Sequence, residues 1–306
     1  MERRLFKATV TIGRSAEKHS KKLRDLEEVF TGKLVKSLII DGNPLLRQFF
    51  EKMSGSAPKL VHVSPLYVER VIDGRKQVKC IYVYRDDSNN EMARYSFYIG
   101  LVESNAIYSP TSDDVYQALL NLSGHHRFKA QVLDIELISV EEIDVVRDIK
   151  KVVSDLSRLK KMKIVFSSPT LLRDPLRRGK HKSLTPTPIN IFSTPVYINL
   201  YLTGALRWKS FIRTLIILHR LLNEPYSTHK TTKITWVRYS KDKNPIPTLT
   251  GYVNLFLNEY YYNQHAKHIN IGSLLEETLS TILTLGTGTS RATGFGHITL
   301  ATPSGS

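Results

Sequence analysis

The sequence predicts an α+β fold in which one β-α-β-β-α-β order occurs twice in tandem. Three observations predict it. Apolar residues switch repeatedly between strand spacing and helical spacing. The order of these segments recurs on either side of a charged stretch, 144–162. A chain of 306 residues with 41% hydrophobic content is large enough for two cores.

In the first half, Phe6, Ala8, Val10 and Ile12 alternate with Lys7, Thr9 and Thr11, which predicts a half-buried strand. A short helix is expected over Lys21 to Phe30. Helical spacing follows over Lys33 to Ile40 and Pro44 to Met53, with a break at Asp41-Gly42, Asn43 as cap and Pro44 in the first helical position. Lys59 to Arg70 and Gln77 to Tyr84 read as a hairpin through Asp73-Gly74, and Arg94 to Leu101 as a further strand after the turn Asp86 to Asn90. Ser112-Asp113-Asp114 starts a helix to about Leu122, ended by Gly124, and Phe128 to Val140 is one more strand.

The segment 144–162 is charged and helix-permissive, and is expected to link domains 1–143 and 163–306. Beyond it come a strand over Lys163 to Leu172, a helical region over Val196 to Leu222 broken at Gly204, and strands over Lys233 to Tyr239 and Gly251 to Asn258. A helix over Ile271 to Thr284 and a strand over Phe295 to Ala301 complete the set. Each half is thus a split βαβ, ferredoxin-like (RRM-like) unit. No residue-level self-similarity accompanies the repeated order.

Between the last helix and the last strand lies the densest glycine cluster, Gly286-Thr-Gly288, five residues, then Gly294-Phe-Gly296, with Ser290 and Arg291 inside it. Paired glycines tolerate positive φ and close backbone approach, so the loop predicts an anion cradle, with phosphate as the natural anion. Its helix-to-strand order removes both nucleotide-binding glycine motifs, which open a helix.

Charge is divided unevenly. Residues 1–150 hold 23 Lys/Arg against 21 Asp/Glu, net +2, whereas residues 151–306 hold 21 against 7, net +14. Such a basic half predicts a polyanionic partner, nucleic acid before membrane. Five basic residues, Arg173, Arg177, Arg178, Lys180 and Lys182, crowd one irregular connection suited to backbone phosphates. Lys33 and Lys36 share a helix face, and Lys59 opens the next strand. Convergence of the three amines would lower at least one pKa and stabilise an anionic transition state.

Other chemistries find little. The single cysteine, Cys80, sits among Val78, Ile81 and Val83 and excludes an internal disulfide or a cysteine zinc site. His265 and His268 lack further ligands, His125-His126 lies at a turn, and His62 reads as a structural strand residue in preference to a general acid, so neither metal nor cofactor is expected. No apolar run approaches the ~18 residues of a membrane span. The N-terminus moves directly into strand alternation, which makes the cytoplasm the expected compartment.

Taken together, these residues resemble the CRISPR-associated endoribonucleases that cut precursor CRISPR RNA within its repeats, part of the RAMP superfamily. The glycine loop carries most of the likeness, with Thr287 standing at an apolar position of the pattern. Lys33-Leu-Val-Lys36, Pro58-Lys59-Leu60-Val61 and Phe166-Ser-Ser-Pro169-Thr-Leu add to it. The resemblance implies two tandem ferredoxin-like domains and a metal-independent cleavage. In that reaction a ribose 2′-hydroxyl attacks the adjacent phosphate, leaving 2′,3′-cyclic phosphate and 5′-hydroxyl ends.

Phe49 to Ser56 holds no histidine, so the likeness is to the lysine-site, archaeal-type branch, with Lys33, Lys36, Lys59 and Arg291 catalytic. Ser290, Arg291, Gly286, Gly288, Gly294, Gly296 and the basic connection would bind RNA. Where that branch has an arginine, this chain has Pro245-Ile-Pro-Thr, with Arg238, Lys241 and Lys243 nearby.

The partner implied is CRISPR repeat RNA. A rival reading is a non-catalytic RAMP subunit holding guide RNA in a CRISPR effector complex. A second is an RRM-type binder in which Phe295 would stack on a base. The oligomeric state is open, a homodimer included.

Overall fold

The computed structural model describes residues 1–14, 30–51, 57–72, 75–83, 93–104, 108–128, 131–177, 181–225, 227–239, 244–266 and 268–301. Its first half runs β1 (Glu2–Arg14), α1 (Thr31–Gly42), α2 (Arg47–Phe50), β2 (Val61–Val63), β3 (Leu66–Ile72), β4 (Arg75–Ile81), β5 (Ala93–Glu103), α3 (Ser112–Leu120), β6 (Gly124–Phe128) and β7 (Gln131–Ile143). After α4 (Val145–Leu159) come β8 (Lys161–Thr170), β9 (Leu172–Arg173), β10 (Lys182–Ser183), α5 (Pro188–Leu202) and α6 (Trp208–Leu221). The chain continues through β11 (Leu222–Asn223), β12 (Thr232–Val237), β13 (Ile246–Leu257), α7 (Glu259–His265), α8 (Ile271–Leu285) and β14 (Ile298–Ala301).

The two large sheets are antiparallel and share one plan. In the first, β7, β1, β5 and β3 lie side by side, with β4 and β6 added at the edges. In the second, β14, β8, β13 and β12 repeat the arrangement. The fold is therefore α+β with two ferredoxin-like units in tandem. Among the described residues no helix is long and apolar enough to cross a membrane.

The two cores lie on opposite faces of the first sheet, with α8 on the side of the second. On β1, Phe6, Ala8, Val10 and Ile12 face a core shared with α1 and α3, while Leu5 points the other way into the second core. Alternation on a strand sends neighbouring side chains to opposite faces, so β1 serves both. Helix α8 is buried nearly all round through its second half, as a helix between two layers must be. Its Thr284 carbonyl oxygen would stand 1.7 Å from a Cβ on Gly100 of β5, so only glycine admits this approach. Polar bonds seal the junction: Arg3 Nε donates to Thr281 Oγ1 at 2.9 Å, and Thr281 Oγ1 to Asn199 Oδ1 at 2.6 Å.

Several elements differ from the sequence reading. The expected linker is mostly α4, whose Val145, Ile149, Val152 and Leu156 pack into the second core. The strand expected over Phe128 to Val140 is a hairpin, β6 with β7. Ser64-Pro65 splits the expected strand from Lys59 into β2 and β3, because proline has no N–H to add to the ladder. Helix α1 continues through Gly42, and the capping side chain of Asn43 serves a short 3-10 turn before α2. Helix α5 starts at Pro188, earlier than expected, with Thr187 as its cap and Pro195 inside it. Helix α7 lies between β13 and α8, where no element was expected. The helix expected at Lys21 falls, but for Phe30, outside the described residues, as do the Asp73-Gly74 and Asp86 to Asn90 turns.

Candidate nucleic-acid interface

The glycine loop folds back on itself beside the end of β8. Thr287 N–H donates to Gly296 O at 2.9 Å, Thr289 N–H to Leu171 O at 2.9 Å, and Gly296 N–H to Pro169 O at 3.0 Å. Gly286, Gly288, Gly294 and Gly296 all have positive φ and are buried. Close approach is the reason for glycine here. A Cβ on Gly288 would stand 2.2 Å from the Leu171 carbonyl oxygen, and one on Gly294 2.6 Å from Gly32 Cα in α1.

Three of the four glycine amides expected in the cradle are engaged within the protein. The N–H groups of Gly286, Gly294 and Gly296 donate to the carbonyls of Ile282, Arg291 and Pro169. The glycines bracket the end of β8 to α1, and the exposed crest of the loop is Ser290, in the left-handed conformation with φ 61°.

Arg291 is engaged within the protein as well. Its side chain is buried, with Nη1 donating to Leu285 O at 2.8 Å and Nη2 to Lys59 O at 3.1 Å. Burial lowers its pKa to about 10. The guanidinium expected on phosphate instead clips the strand leading into β2 to the end of α8.

The polar Thr287 has a local cause. Pro195 carries no N–H, so the Ile191 carbonyl four residues earlier lacks its helical donor. Thr287 Oγ1 donates to that oxygen from a fully buried position.

Two of the three lysines gather at Phe50. Lys59 Nζ donates to the Phe50 carbonyl at the end of α2, and Lys36 Nζ lies 5.8 Å from the centre of the Phe50 ring. Burial lowers the pKa of both; for Lys59, the charges of Lys36 and Arg291 lower it further, while Glu51 opposes. Lys33, one turn earlier on α1, sets its Nζ 3.7 Å over the ring of Tyr239. Tyr239 follows Arg238, which is exposed; Lys241 and Lys243 lie outside the described residues. Glu51 and Tyr239 carry no local sequence signal, because each enters the cluster through tertiary packing.

His62 is structural. Fully buried, its Nδ1 donates to the Arg291 carbonyl at 2.9 Å, which leaves Nε2 to accept from His297 Nδ1 at 3.2 Å. Burial holds both rings neutral, His297 with a pKa of about 3. Phe295 is also buried, its ring 4.6 Å from that of Phe30, which removes the base-stacking role of the RRM-type reading. Among the described residues no three His, Cys, Asp or Glu side chains group as metal ligands.

The basic connection is partly visible. Arg173 in β9 pairs with Lys182 in β10, and Arg177 Nε lies 3.3 Å from Asp174; Arg178 and Lys180 fall outside the described residues. Arg173 and Arg177 share a cavity of about 680 Å³ with Pro58, Gly288, Thr289 and Arg291. The two basic regions expected to bind RNA are therefore neighbours in space.

No protein-family model matches the chain, and no curated protein sequence does. Solved structures match along nearly its whole length. A Cas6 product complex has a TM-score of 0.57 at 12% identity, covering 97% of this chain and 99% of that one. A structure of Thermus thermophilus Cas6 has a TM-score of 0.53 at 12% identity, with 98% of each chain covered. At such identity the likeness is one of fold, and it spans both ferredoxin-like units.

Proposed function

We propose that this chain is a metal-independent endoribonuclease that cuts precursor CRISPR RNA within its repeats, with a site of the lysine type. The gathering of Lys36 and Lys59 at Phe50, both buried enough to lower their pKa, is the observation that carries the reading. The Cas6 fold and the basic second half support it.

In this reading Lys59, lowered by burial and by two neighbouring cations, is the neutral amine that takes the 2′-hydroxyl proton. A bond forms from the 2′-oxygen to phosphorus and the bond to the 5′-oxygen breaks, the leaving oxygen taking its proton from the Lys36 ammonium. Lys33, close by on α1, adds positive charge against the pentavalent phosphate. Ser290 contacts the backbone, and Arg291 acts as a positioning residue through the Lys59 carbonyl. The rate then rises with pH as Lys59 loses its proton and falls once Lys36 does.

Incubating the cognate repeat transcript in excess EDTA and mapping its ends tests this. The expected product has a 2′,3′-cyclic phosphate and a 5′-hydroxyl, and a single 2′-deoxy nucleotide at the cut blocks it. Binding without cleavage, or cleavage of the 2′-deoxy RNA, contradicts the proposal; the former outcome is that of a non-catalytic guide-RNA subunit.

A further inference from the structure

The cavity shared by Arg173, Arg177 and the glycine loop takes no part in the proton transfers above. Its volume of about 680 Å³ lies within the range of small-ligand sites. One wall is aromatic: Tyr197 of α5 and Trp208 and Phe211 of α6 line it. The Phe211 ring is braced edge-on by Tyr197 at 6.0 Å and lies tilted against Trp208 at 5.8 Å. Trp208 is nevertheless 66% exposed, an indole held by its neighbours with most of its surface open.

Polar groups share the lining. Arg173 and Arg177 stand at the cavity, and the Arg177 pair with Asp174 is exposed, so its guanidinium exchanges partners at little cost. Thr289 Oγ1 has no hydrogen-bond partner among the described residues and belongs to the same lining. Pro58, also in the lining, immediately precedes Lys59.

We infer that this cavity receives one unpaired nucleobase of the RNA, stacked on Trp208, with its adjoining phosphate on Arg173 and Arg177. A flat aromatic wall beside guanidinium groups matches a nucleotide, whose base is a π surface and whose backbone is an anion. A paired base offers no free face, so the nucleotide is single-stranded or turned out of a helix. Contact with Pro58 places it beside the proposed lysine site, next to the scissile phosphate. The assignment rests on the RNA-processing reading above, and it adds a specificity-determining pocket to it.

The chain has two tryptophans, so Trp236→Phe leaves Trp208 as the single indole reporter. Fluorescence is followed while this variant is titrated with oligoadenylate, oligouridylate and, as a charge control, inorganic polyphosphate. The expected result is quenching by at least one oligonucleotide and none by polyphosphate. Trp208→Ala weakens oligonucleotide binding by roughly 5- to 100-fold, Trp208→Phe by far less, and Arg173→Ala lowers the salt slope of binding by about one.

No quenching by RNA, equal quenching by polyphosphate, or affinity unchanged in Trp208→Ala overturns the inference. Repeat cleavage measured in parallel separates the two claims. Cleavage with no effect at Trp208 removes the pocket and leaves the nuclease. Quenching of Trp208 by RNA, with affinity weakened in Trp208→Ala but without any cleavage, keeps the pocket and removes the nuclease.

Discussion

The Arg291 guanidinium lies 3.1 Å from the Lys59 carbonyl oxygen and 2.8 Å from that of Leu285, and so joins the two halves of the chain beside the paired lysines. Removing it leaves one buried and one part-buried acceptor without donors. Arg291→Ala is therefore expected to lower the unfolding free energy by roughly 2–5 kcal/mol in urea titrations. Arg291→Lys restores less than half, since an ammonium lacks the planar fork that reaches both oxygens. An unchanged midpoint in Arg291→Ala contradicts this role.

Thr287 and Pro195 are coupled through the Ile191 carbonyl. Thr287→Val is expected to cost about 1–2 kcal/mol by leaving that oxygen unpaired. In a Pro195→Ala background residue 195 supplies its own N–H to Ile191, and the same substitution costs less than half as much. A double-mutant cycle measures the coupling, and strict additivity rules the shared acceptor out.

Stability falls with acid in a window set by His62 and His297. Both pKa values are lowered by burial, His297 from 6.5 to about 3, so below pH 6.5 the unfolded chain binds protons that the folded chain does not. The stabilisation is present above pH 6.5 and is lost progressively as pH falls towards about 3. Free carboxylates titrate near 4, which leaves pH 5 to 6.5 to the histidines. Melting temperatures are expected to drop across that interval in the wild type and to change less in His297→Phe, which keeps a ring against Tyr98.

Gly32 couples α1 to the glycine loop. A Cβ there would stand 2.4 Å from the Thr293 carbonyl oxygen and 2.5 Å from Gly294 Cα. Gly32→Ala is expected to cost about 1–3 kcal/mol and to push α1 away from the loop. Cleavage slows by roughly tenfold or more, because Lys33 and Lys36 move with the helix, whereas RNA affinity changes little. Single-turnover rates and binding isotherms on the same preparation separate the two effects.

Much of the fold was legible because period 2 and period 3.6 follow directly from strand and helix geometry, as in Phe6 to Ile12 and Ile271 to Thr284. The start of α5 was not: Pro188 occupies the first helical turn, and the defect at Pro195 is mended by Thr287, distant in the chain. The glycine loop was found by spacing, but spacing reports backbone conformation and not the destination of the N–H groups. Arg291 among small residues reads as exposed; its carbonyl partners include Lys59, 232 residues away in the chain. Lys36 and Lys59 were within reach of element order alone, whereas the stacking of Lys33 on Tyr239 depends on how the second half meets α1.

The most direct measurement is the single-turnover cleavage rate of labelled cognate repeat RNA in excess EDTA, compared between wild type and Lys36→Ala/Lys59→Ala. The lysine site predicts rapid wild-type cleavage, a loss of at least roughly 100-fold in the double variant, and RNA affinity within a few-fold of wild type. Wild-type RNA left intact, or a double variant cutting at the wild-type rate, contradicts it.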